Sequence, residues 1–124
     1  MSIQLKRIYD PVADNDGRRV LVDGMWPRGV KKADAALDDW YKSVAPSSDL
    51  RRWFGHDRDR WKKFCDCYRA ELDASDNDDL VALREIVADQ DVTLLFAARD
   101  TECNHAVVLK SWLEGAHERS AAHR

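Results

Sequence analysis

No stretch of this chain approaches the roughly 18 consecutive apolar residues that a membrane-spanning helix needs. The opening MSIQLKRIYD also has no apolar core of the kind found in a secretory signal. A cytoplasmic protein without a membrane partner is the expectation. An excess of positive charge is missing too: 20 Lys and Arg stand against 23 Asp and Glu, for a formal net charge of -3. No global basic field draws such a chain to nucleic acid, so nucleic acid is not an expected partner and any basic site must be local. Cysteine is sparse and odd in number, and Cys65, Cys67 and Cys103 read as reduced thiols, not as a disulfide framework. Internal repeats, low-complexity blocks and domain linkers are absent. A single domain over residues 1–124 is expected, with residues from about 115 onward as a flexible tail.

What is present suits a packed globule: 44% hydrophobic residues, five of them Trp, under a surface supplied by 35% charged residues. Ile3 to Tyr9 alternates apolar and polar residues and meets Asp10-Pro11, a strand ending in a turn. A second strand, RVLVDG, ends at Asp23 and Gly24, and Pro27 and Gly29 forbid regular structure beyond it. Leu37 to Val44 is ambiguous and reads as a short strand, because Pro46 follows too soon for a good helix.

SSDLRRWF starts at a Ser47 or Ser48 cap and stops at Gly55, one short helix. Trp61, Phe64, Cys65, Tyr68 and Leu72 form the apolar stripe of a longer helix capped by Asp57. Leu80, Leu83 and Val87 mark another helix behind an acidic start. Val92 to Ala98 is a continuous apolar run, as in a central strand covered on both faces, and a last helix runs from about Asn104 to Leu113. The order predicts an α/β fold: a small, at least partly parallel sheet of about four strands with helices packed around it.

Ligands of open α/β sheets sit beyond the carboxyl ends of the strands, where helices begin and present unpaired N–H groups. Asp23, Trp26 and Arg28 follow one strand; Arg99, Asn104 and His105 follow another. The expectation is a cleft for a small anionic ligand. In it Arg28 clamps the anion, Trp26 is an aromatic wall, and Arg99 and Asn104 line the opening. His105, near a helix N-terminus, is the acid/base candidate with Asp23, and His56 beside Asp57 is a second histidine for ligand binding. The structural alternative makes Trp26 a lid over the core and pairs Arg28 with Asp23 to fix the loop.

Three sharper chemistries fail on spacing. A cysteine phosphatase needs an Arg after five intervening residues, and Cys103 has Leu109 there. No metal site is expected from Cys65 and Cys67, because residues two apart on a helix point about 200° apart. The bases and aromatics of DLRRWF and DRDRWKK are interleaved with Asp, which suits a solvated helix face. The residues name no cofactor and no oligomeric state.

RIYDP, GRRVLVDGMWPRG, DDWYKSVAPSSDLRRWFGHDRDRW, CYRAEL and VTLLFAARDTECNHAVVLKSWL, in that order from Ile8 to Leu113, resemble the YeaO-like branch of the domain of unknown function 488 (DUF488) family. The resemblance implies a compact α/β fold in a cytoplasmic bacterial or archaeal protein, and supplies no activity. It also implies two departures. A basic residue is usual after the strand-two Asp, where this chain has Gly24. The wider family's last strand and loop carry a cysteine, a glutamate and then a Cys-His-Arg group. Here Phe96 and Ala98 replace the first two, and Cys103, Asn104 and His105 stand near the third. Two readings stay open: an enzyme acting on a small anionic or nucleotide-like metabolite, or a noncatalytic ligand-binding or protein-interaction module using the same cleft.

Overall fold

The structure is a computed structural model; it describes residues 2–122, with side chains through residue 115. Four strands form one sheet: β1 (Ile3–Arg7), β2 (Arg18–Leu21), β3 (Asp39–Trp40) and β4 (Val92–Phe96), in the spatial order β1-β4-β2-β3. Every pairing is parallel, with Leu5 opposite Leu94 on one side of β4 and Val20 opposite Leu94 on the other. Parallel neighbours must be joined by crossovers. The helices supply them: α1 (Lys32–Ala35), α2 (Ser48–Phe54), α3 (Trp61–Ala74), α4 (Asp78–Asp89) and α5 (His105–Ala122).

The strand period of two distributes the core. Val92, Leu94 and Phe96 of β4, with Val20 and Val22, face a large cluster built with Phe54, Phe64, Tyr68, Leu83 and Leu109 from the helices. Leu21 and Leu95 point the other way, into a smaller cluster with Ile8 and Ala35 that Trp26 and Trp40 cover. All five residues of β4 are buried, because a central strand is packed on both faces, as its unbroken apolar run predicts.

Local signals explain most boundaries. The Ser47 hydroxyl accepts the Leu50 N–H to open α2, and Gly55 closes it. Asn77 caps α4 in the same way. Asp57 caps a single 3-10 turn, Arg58–Arg60, which runs directly into α3. Within the ambiguous Leu37 to Val44 stretch, only Asp39–Trp40 pairs as strand, and Lys42–Val44 closes into a 3-10 turn. The first strand ends at Arg7, and the Arg7 N–H meets the Asp10 carboxylate in the turn that follows. α5 continues past Leu113 to Ala122; the expected flexible tail falls mostly on residues whose side chains, and on 123–124 whose backbone, lie outside the described residues. Among the described residues no helix is long and apolar enough to cross a membrane.

Candidate functional site

Parallel β2 and β4 end on the same side of the sheet, and that edge opens into a cleft of about 640 Å³. Asp23 is fixed there from three directions. Its backbone carbonyl accepts the Trp40 indole N–H at 2.7 Å, and its Oδ2 accepts the Ala97 N–H at 3.0 Å. Its Oδ1 lies 3.2 Å from His105 Nε2 and is buried without a hydrogen-bond donor. His105, the first residue of α5, places Nε2 3.1 Å from the Val22 carbonyl. A carbonyl only accepts, so this bond assigns the ring proton to Nε2. The Asp23–His105 contact becomes an ion pair whenever the ring is protonated.

The second carboxylate of the cleft is also engaged. Asp100 accepts the backbone N–H groups of Glu102 and Cys103, each at 3.0 Å, and a two-pronged Arg58 guanidinium at 2.9 Å on each oxygen. The Cys103 and Glu102 N–H groups, with Arg58 beyond them, hold its carboxyl down at about 2. Asn104 lies in the lining as expected but is 1% exposed and committed to structure. Its Oδ1 caps α5 by accepting the Val107 N–H, and its Nδ2 donates to the Asp100 carbonyl.

Four of the expected site residues therefore line one opening: His105, Arg99 and His56, with polar groups facing it or its rim, and Asp23, whose oxygens are turned to Ala97 and His105. His56 is exposed and sits at φ +58, a left-handed conformation costly for a residue with a Cβ. Two do not join them. Trp26 packs edge-on against Trp40 at 5.4 Å and donates its indole N–H to the Val30 carbonyl at 2.7 Å. It is a lid over the smaller core, not a wall of the cleft. Arg28 is exposed and absent from the lining, and its carbonyl accepts the Tyr9 hydroxyl at 2.9 Å. Neither the anion clamp nor the Arg28–Asp23 pair of the sequence reading is formed. The physical reason is the turn: Gly29, at φ +79, lets the chain fold back so that Trp26 closes on Val30.

Sequence reasoning missed Arg51. Its side chain lines the cleft beside Phe54, three residues on along the same helix face, and its Nη2 donates to Ser48 Oγ at 3.1 Å. No carboxylate lies within ion-pair distance of Arg51 or Arg99 among the described residues. The apolar lining comes from Met25, Pro46, Phe54 and Phe64, and Phe54 and Phe64 stack at 4.3 Å. The lining residues include no Ser, Thr, Cys, Lys or Tyr. The spacing of RRWF contained the signal for Arg51, since Phe54 is a core residue and an i, i+3 neighbour shares its edge.

An α/β domain with a sheet-end cleft is thus the class that fold and site define. The chain belongs to the DUF488 family: the family model described as the inactive DUF488-N3 subclade matches residues 2–124. Among curated proteins it is similar to the uncharacterized protein YeaO of Escherichia coli K12, 46% identical over 113 residues, which is 91% of this chain and 97% of that protein. It is 38% identical to the uncharacterized protein Rv3073c of Mycobacterium tuberculosis H37Rv, over 91% of this chain and 94% of that protein. No solved structure matches it.

Proposed function

We propose that the cleft is a binding site and not a reaction centre, and that this cytoplasmic protein is a noncatalytic module that holds a small anionic compound. The observation that carries the reading is the state of the two cleft carboxylates. Asp23 has one oxygen on the Ala97 N–H and the other closed off from solvent, and Asp100 is saturated by Arg58 and two backbone N–H groups. Base catalysis by a carboxylate needs an oxygen within reach of a substrate proton, and covalent catalysis needs a nucleophile; His105 is the acid/base group that remains in the lining, and His105→Ala tests it. Neither carboxylate offers the first, and the lining has no hydroxyl, thiol or amine for the second. The family description, inactive, agrees with that reading. What the cleft retains is suited to capture: two arginines without carboxylate partners over an apolar floor, in a volume typical of small-molecule sites.

Thermal-shift titration of the intact protein with inorganic phosphate, phenyl phosphate and AMP tests it, with each compound followed by NMR through a long incubation. The melting temperature should rise with at least one of them while the compound stays intact. Conversion of a compound by the wild type, lost in His105→Ala, would return the cleft to the enzymes.

A further inference from the structure

We infer that Arg51 is the residue that grips the anion, that Gly24 is the seat that lets its guanidinium reach into the cleft, and that the ligand carries a carboxylate or phosphate on an apolar, ring-sized body. This rests on the cleft being a binding site. A Cβ built on Gly24 would meet Arg51 Nη1 at 3.2 Å, Cζ at 3.5 Å and the Ala45 Cβ at 3.4 Å. The guanidinium therefore lies against bare backbone, and any side chain at 24 would push on it. Gly24 has no positive φ among the described glycines, so close approach and not backbone conformation accounts for the glycine.

Arg51 is also the cleft cation with the most unused bonding capacity in a sheltered place. A guanidinium has five N–H donors. One prong of Arg51 reaches Ser48 Oγ, while its Nε is buried without an acceptor. The Nη1 and Nη2 end keeps N–H groups for an oxyanion in the two-pronged geometry that arginine favours. The other charges nearby do not compete for it: Asp100 is taken by Arg58, and Asp23 faces His105. Arg99, on the rim, adds a second positive charge, and His56 reaches the same opening from the end of α2. Phe54, in the helix of Arg51, and Phe64 stacked on it give the rest of the ligand an aromatic floor.

Isothermal titration calorimetry with benzoate, phenyl phosphate and neutral benzamide separates the parts of this inference. The wild type should bind at least one anion more tightly than benzamide, and the two anions tell carboxylate from phosphate. Arg51→Ala should lose anion affinity by about 10- to 100-fold and leave benzamide unchanged, with Arg51→Lys in between. Gly24→Val should reproduce the loss while every charge is retained. Melting curves of each variant establish that it is folded, and Arg51→Gln serves if the alanine variant is not. Anion binding that survives in Arg51→Ala and Arg51→Gln would overturn the role of Arg51 and leave the cleft reading standing. A wild type that binds none of the three probes at millimolar concentration would overturn both.

Discussion

Asp16, at the end of the strands opposite the cleft, allows the fold to be perturbed without touching the site. The residue is 2% exposed and Arg19 is 5% exposed. Asp16 takes Lys6 Nζ at 3.0 Å, the Ala13 N–H at 3.1 Å and Arg19 Nη1, while Arg19 donates to the Ala35 and Ala36 carbonyls. Asp16→Asn keeps the shape and removes the charge, leaving Arg19 as a buried cation without a carboxylate. Breaking a buried pair from one side costs about 3–5 kcal/mol. With an unfolding entropy of ~2.1 cal/mol/K per residue over 124 residues, the melting temperature should fall by roughly 12–19 °C in calorimetry at pH 7.

The pH dependence has a fixed sign. Burial alone would raise the Asp16 carboxyl, but the Ala13 N–H, Lys6 and Arg19 outweigh it and hold the group below its ordinary 3.8. A depressed carboxyl stabilises the fold above its unfolded value, and that stabilisation is lost as pH falls through the folded value. The gap between wild type and Asp16→Asn should be full at pH 7 and shrink below about pH 3.8. A gap under about 1 kcal/mol at neutral pH, or one that stays constant into acid, would refute the assignment of a buried network.

Two further outcomes follow from the placement of single side chains. Arg28→Ala should change neither the melting temperature, beyond about 0.5 kcal/mol in stability, nor the affinity for phenyl phosphate, since Arg28 is exposed and away from the cleft; a loss of binding would put the WPRG loop back into the site. In timed alkylation read by mass spectrometry, Cys103 should react before Cys65, because burial, only partly offset by Arg69, pushes the Cys65 thiol up; the reverse order would contradict it.

The readable parts of the fold were those with a repeating or capping signal. The α3 stripe, the unbroken β4 run and the Ser47 cap each involve several residues acting on one boundary or face. β3 has no such signal. Two residues, Asp39 and Trp40, pair with Val20 and Leu21, and two residues cannot display a period. Cys65, assigned to the core by its helical phase, is only half-buried at the edge of the stripe. The parallel sheet carried Asp23 and His105 to one edge, as strand order predicts, and this is why a pair 82 positions apart was legible at all.

The WPRG loop shows where such legibility stops. Pro27 fixes its own φ and Gly29 permits the reversal, but neither sets a direction for the side chains. Beyond the last paired residue of β2, strand alternation no longer says which face a side chain takes, and the smaller core claimed Trp26. Gly24 shows the converse error. The family resemblance implies a positive charge missing from the cleft at this position. In the fold, a Cβ at 24 would come within 3.2 Å of a guanidinium from α2. The bare position leaves room for that guanidinium, which a Cβ would press on. Glycine at the cleft edge is therefore informative about its neighbours in space, and Arg51 is the neighbour it identifies.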